Sequence, residues 1–128
     1  MIVLDHNIPE DEVEKLQQKR VRFRQIGHEI GRPEWDDQQE ILRYLHNAKQ
    51  MTFFTRDLGF FRPRLCHLNY CLVIITGPVQ ETASFIRRFL RHPKFKTKET
   101  RMGCVLRLSS AGIAWWEIKR DRQQNIFW

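Results

Sequence analysis

Two short apolar runs in this chain end in acids. Ile2-Val3-Leu4 stops at Asp5 and passes into the turn-type residues His6-Asn7-Ile8-Pro9, while Met51-Thr52-Phe53-Phe54-Thr55 leads directly into Arg56-Asp57-Leu58-Gly59. Continuous apolar runs of this length read as buried strands, so each delivers a carboxylate to its end. If the two strands lie side by side and parallel, Asp5 and Asp57 emerge together at the carboxyl edge of the sheet, where open α/β proteins place their ligands. Between them Asp36, Asp37 and Glu40 open a helical pattern. Converging carboxylates repel one another unless a hard cation sits among them, and oxygen-only ligands with waters suit Mg²⁺ or Mn²⁺. Such an ion acidifies water, holds a phosphate oxygen and neutralises developing charge, which is the chemistry of phosphodiester hydrolysis. The expected catalytic carboxylates are therefore Asp5, Asp57, Asp37 and Glu40. Asp5, Asp57 and Asp37 are the expected metal ligands, with Glu40 the rival for the third place. Asn7, Thr55 and His6 are expected in the ring outside them, orienting waters or carboxylates.

Each of these residues also has a plainer reading. Asp36 suits a helix cap, Asp37 and Glu40 suit a solvated first turn, and Asp57 suits a turn cap working with Thr55. Asp5 is harder to explain in that way. Cys66-His67 with Cys71 and Cys104 offers softer ligands, but without the two-residue spacing of paired zinc ligands these read as core and loop residues. His28 and His46 have no evident nucleophile partner, so a Cys-His or Ser-His hydrolase is not supported. Trp35 is placed either to pack into the core or to stack on a base.

The elements that must position the acids follow from patterning. Residues 2–5 form the first strand. Pro9 suits the first position of a helix running to about Lys19, with Glu10, Asp11 and Glu12 in its first turn. Alternation over 21–26 predicts an edge strand. After a Gly- and Pro-containing loop, Asp36 and Gln39 form a capping box for a helix over 37–50 that buries Ile41, Leu42, Leu45 and Ala48. Residues 51–55 and 71–76 are further buried strands separated by a loop or short helix, and 80–91 is an amphipathic helix. Residues 104–108 and 113–118 flank Ser109-Ser110-Ala111-Gly112 as a hairpin. The expected fold class is α/β, with a mainly parallel sheet of about four strands covered on both faces, plus a carboxy-terminal hairpin. At 128 residues the chain fits a single domain, 1–128, with an α/β core over 1–92 and the hairpin at 104–118.

With 22 Lys and Arg against 15 Asp and Glu, net +7, the surface should attract polyanions, RNA first among them. Arg87, Arg88, Arg91, Lys94, Lys96, Lys98 and Arg101 form a basic belt in the second half. Arg56 joins Arg87, Arg88, Arg91 and Lys94 as expected nucleic-acid contacts, although a solvated basic helix face that binds nothing is the alternative. No apolar run is long enough to span a bilayer. The absence of a signal-like opening and the odd number of cysteines point to a cytoplasmic location with reduced thiols.

Three of these motifs resemble a known group. Leu4-Asp5-His6-Asn7-Ile8-Pro9, the helix start Asp37 to Leu42, and Phe54-Thr55-Arg56-Asp57-Leu58-Gly59-Phe60 are similar, in order and approximate spacing, to the small PIN-like proteins related to Mut7-C in the PIN nuclease superfamily. The resemblance covers residues 2–76 with a compatible helix after them. It implies a three-layer α/β/α PIN-like domain, an acidic site for Mg²⁺ or Mn²⁺ that includes Asp5 and Asp57 with Asn7 beside them, and endoribonuclease activity. It also implies pairing with a small antitoxin protein as the toxin of a toxin-antitoxin module, and it leaves a homodimer open. His6 and Gly59 stand where that group carries acids, and the central acid is displaced by one residue. Fewer carboxylates imply weaker metal binding, so the alternative is a catalytically weak or inactive PIN-like module that binds RNA or a protein partner.

Overall fold

The structure is a computed structural model and describes residues 1–28, 30–31 and 38–128. The fold is α/β. Among these residues a single mixed sheet holds seven strands in the order β2-β1-β3-β4-β5-β6-β7: β1 (Ile2–Leu4), β2 (Arg24–Gln25), β3 (Met51–Thr55), β4 (Tyr70–Ile75), β5 (Cys104–Ser109), β6 (Gly112–Glu117) and β7 (Gln124–Ile126). The helices are α1 (Glu10–Gln18), α2 (Gln38–Ala48), α3 (Thr82–Arg91) and the single turn α4 (Lys98–Arg101). The expected mainly parallel sheet of about four strands plus a carboxy-terminal hairpin is thus corrected to one continuous mixed sheet that takes in the hairpin. β1 to β5 pair in parallel, because β5 runs alongside β4 from Leu72↔Val105 to Ile75↔Leu108, and the β5–β6 and β6–β7 pairings are antiparallel.

The apolar runs explain the layering. β1, β3, β4 and β5 carry apolar side chains on both pleat faces, so both faces must be covered. Leu4, Phe54, Val73 and Leu106 face one side, where Val13 and Leu16 of α1 and Ala83, Phe85, Ile86 and Phe89 of α3 close over them. Val3, Phe53, Leu72, Ile74 and Val105 face the other, where Ile41 and Leu45 of α2 pack. Pro9 is the residue before α1 rather than its first residue: its carbonyl accepts from the Glu12 and Val13 amides. Glu12, buried in that first turn, ties α1 to α3. Its carboxylate accepts from the Ala83 amide at 3.0 Å and from Lys15 Nζ at 2.6 Å.

Burial pushes the Cys104 thiol from its ordinary 9.0 up to about 12, with Glu117 nearby adding to the effect. The Cys71 thiol, wholly enclosed, is pushed well up for the same reason. Both remain protonated in the folded chain where the unfolded chain would ionise, so folding takes up protons above pH 9. The stability they contribute is complete below the unfolded value and is lost as pH rises from there toward the folded one, by about 1.4 kcal/mol per pH unit for each thiol. The urea midpoint is expected to fall steadily above about pH 9, and less steeply in Cys104→Ala. A flat midpoint up to about pH 10.5 would rule this out.

Candidate functional site at the carboxyl edge

β1 and β3 are direct parallel neighbours, with Leu4 opposite Phe54. The residues that follow them, Asp5 and Arg56-Asp57, leave the sheet at the same edge. The parallel order 2-1-3-4-5 changes direction at β1, so this edge between β1 and β3 is the switch point at which doubly wound sheets form their crevice.

Thr55, fully buried at the end of β3, organises the edge. Its hydroxyl donates to Asp5 Oδ2 at 2.6 Å and accepts from Asn7 Nδ2 at 3.2 Å and from the Asp57 amide at 3.0 Å. One hydroxyl has one proton and two lone pairs, so this side chain is fully used. Asn7 completes the link by accepting the Arg56 amide at Oδ1, 3.2 Å. Asp5 is only 2% exposed. Its Oδ1 accepts from the His6 amide and from His6 Nδ1, both at 2.8 Å. Because a carboxylate only accepts, the Nδ1 proton lies on that contact. Gln25 Nε2 of β2 reaches the Asp5 carbonyl at 3.4 Å. Nothing in the sequence marks Gln25 beyond its place near the end of an alternating stretch.

Asp57 sits differently. It is exposed and caps the 3-10 turn Leu58–Phe60 by accepting the Gly59 amide at Oδ1, 2.9 Å. The turn-cap reading of Asp57 is therefore met, and its Oδ2 is still without a hydrogen bond among the described residues. The first turn of α2 reaches the same place, since Gln38 Nε2 donates to the Gly59 carbonyl at 2.9 Å. Glu40, half-buried two residues on, makes no hydrogen bond or ion pair among the described residues. Asp37, together with Asp36 and Trp35, lies outside the described residues. Beside Asp5 opens a cleft of about 370 Å³ lined by His6, Glu10, Glu14, Gln25 and His28, among others.

The basic residues do not gather here as a group. Arg56 turns its guanidinium to the Gly77 carbonyl at 2.6 Å and to Thr82 Oγ1 at 3.0 Å, clamping the start of α3. α3 follows β4 and runs back toward the opposite edge, so Arg87, Arg88 and its last residue Arg91 lie along it and Lys94 lies beyond its far end. Arg88 and Lys94 also cover the rings of Trp128 and Trp115, at 4.3 and 5.5 Å. Arg101 is no surface residue: it is buried, donating to Thr52 Oγ1 and to the Phe95 carbonyl. The softer cluster is also accounted for. Cys66 Sγ contacts the Trp116 carbonyl at 3.5 Å, and His67 stacks on Tyr70 while its Nδ1 accepts the Asn69 amide.

Among the described residues no group of three or more His, Cys, Asp and Glu side chains could hold a metal ion. The donors present are two carboxylates, each with one oxygen less engaged than the other. A donor set this small could serve only a hard cation that keeps most of its waters, never a closed protein cage. No helix among the described residues is long and apolar enough to cross a membrane. Comparison with family models, with curated proteins and with solved structures finds no match to this chain.

Proposed function

We propose that this chain is a metal-dependent endoribonuclease of the PIN-like class, a three-layer α/β/α domain working with Mg²⁺ or Mn²⁺, and that it serves as the toxin component of a toxin-antitoxin module. RNA is its substrate and a small antitoxin protein its partner. The observation that carries this reading is the Thr55 hydroxyl, which joins Asp5, Asn7 and Asp57 into one hydrogen-bonded set at the switch point of the sheet. A buried carboxylate held this rigidly is costly for a fold and suits a task that needs a fixed negative charge.

In this reading Asp5 Oδ2 and Asp57 Oδ2 would hold the ion, with Asp37 or Glu40 as the third carboxylate. When bound, the ion would supply neutralising charge for a phosphodiester and acidify a water. Thr55 fixes which lone pair of Asp5 faces outward. Asn7 locks the two strand ends together, so the carboxylates keep their separation while substrate enters. His6 holds the second oxygen of Asp5 and lines the adjoining cleft. The low carboxylate count makes for weak ion binding and slow turnover.

A second reading has its own observation. Both oxygens of Asp5 already accept hydrogen bonds, which favours a module that binds RNA or a protein partner without cutting. Mn²⁺ calorimetry and cleavage of a mixed RNA pool, on the wild type and on Asp5→Asn/Asp57→Asn, separate the two. Saturable binding and cleavage that both vanish in the variant are expected. A folded wild type that binds RNA in chelator and shows no cleavage under any metal would replace the nuclease reading with the second.

A further inference from the structure

At the far end of the sheet no helix among the described residues covers one of the two faces. On the side of α1 and α3, β5 to β7 contribute Leu106, Leu108, Ile113 and Trp115 to the core. On the opposite side these strands bury only Val105, which joins the core beneath α2, and the small Ala114 among their apolar residues. The next residues on that side, by the register Arg107↔Ala114, Ser109↔Gly112 and Ala114↔Asn125, border a groove of about 210 Å³ that Phe127 also lines. Phe127 is 90% exposed, although its neighbour Trp128 is anchored through Nε1 to the Ser109 carbonyl at 2.8 Å. The Arg107 guanidinium lies over the Phe61 ring at 5.1 Å and forms no ion pair among the described residues.

From this we infer that the groove is a slot for one base of a single-stranded RNA. A floor of small residues, Gly112 and Ala114, lies between a flat cation and a free aromatic ring. A planar heterocycle can stack there on Phe127 while Arg107 meets its face or the adjoining phosphate. The Ser109 hydroxyl proton and the Asn125 amide NH₂ are not engaged among the described residues, and they offer donors to a base edge. Charge decides between a nucleic acid and an apolar protein partner. The groove is bordered by an unpaired cation on a chain of net charge +7, so the complementary occupant is a polyanion.

The slot rests on the nuclease reading only in taking RNA as that polyanion, and its position deepens that reading. Ser109 and Gly112 end their strands at the same edge as Thr55. Three strand spacings, about 14 Å, separate β3 from β6, so a strand seated in the slot can pass a phosphate a few nucleotides away over Asp5 and Asp57. The slot would set which base stands at a fixed distance from the scissile bond.

The test is fluorescence anisotropy of a labelled RNA octamer and of the same octamer carrying abasic riboses, both in chelator so that cleavage plays no part. The full chain is used, as wild type, Phe127→Ala, Phe127→Tyr and Arg107→Lys. Phe127→Ala is expected to weaken binding of the intact strand about tenfold and to leave the abasic strand unchanged. Phe127→Tyr should restore binding, and Arg107→Lys should weaken it severalfold because charge without a planar face cannot stack. Equal weakening of intact and abasic strands, no effect of Phe127→Ala, or no RNA binding by the folded wild type would each overturn the slot. So would a dimer that Phe127→Ala dissolves. Cleavage is measured separately, so loss of the slot leaves the nuclease reading to stand or fall on its own assay.

Discussion

Asp5→Ala is expected to lower metal-dependent RNA cleavage by about a thousandfold and to cost about 3 kcal/mol of folding stability. The two effects have different origins. Among the described residues of the proposed site Asp5 is the one carboxylate held on both oxygens, so its removal takes away a fixed charge that Asp57, exposed and tied to its own turn, cannot replace. The stability loss comes from the donors left behind. Thr55 is fully buried, and its hydroxyl proton loses its acceptor with no water to turn to. The His6 ring is 36% exposed and can find water, so it contributes less. Asp5→Asn restores an acceptor opposite Thr55, and should recover most of the stability while staying inactive. Urea unfolding beside single-turnover cleavage separates these effects. Full activity in Asp5→Ala would remove the carboxyl edge as the site, and an Asn variant as unstable as Ala would mean that charge, not hydrogen bonding, holds the edge.

The strand ends were legible because a buried parallel strand leaves a strong trace: Ile2-Val3-Leu4 and Phe53-Phe54 are apolar without interruption, and the first polar residue after each marks the edge. The pairing of β1 with β3 followed from the same expectation. Other features left little trace. The alternating stretch 21–26 forms a strand only at Arg24–Gln25, because β1 is three residues long and offers partners only at Val3 and Leu4. Asn7 could be expected near the acids, but its role as the link between strand ends depends on Arg56 and Thr55, some fifty positions away.

Charge was the least reliable guide. The basic belt is contiguous in sequence, yet α3 runs away from the acidic edge and Arg101 turns inward to Thr52. Arg107, on which the proposed base slot rests, is a lone cation in an apolar strand whose neighbours gave no sign of it. β7 was also missed. Gln124-Asn125-Ile126 lacks any apolar alternation, and at Gly112 the backbone of Ile126 and Phe127 approaches β6 closely.

That approach makes Gly112→Val the most damaging substitution expected at the far end of the sheet. Gly112 has φ +141°, a conformation open to glycine and strained for any side chain. A Cβ there would lie 2.0 Å from the Ile126 carbonyl oxygen and 2.9 Å from Phe127 Cα. Both are backbone atoms that cannot rotate aside, so β7 must leave. With it would go the pairing of Ile113 with Ile126, the Trp128 contact to Ser109 and the Trp128 ring against Phe85 and under Arg88. Partial exposure of a ring of that size together with the lost strand gives an expected loss of about 3 kcal/mol, read as a lower urea midpoint and faster hydrogen exchange at Ile113 and Trp115. Trp128→Ala removes the ring and keeps β7, so it should cost about half as much. If Gly112→Val matched the wild type in both measurements, β7 would contribute nothing to the fold. If it lost stability but bound the intact octamer as the wild type does, the base slot could not be built on Phe127, whose position depends on β7.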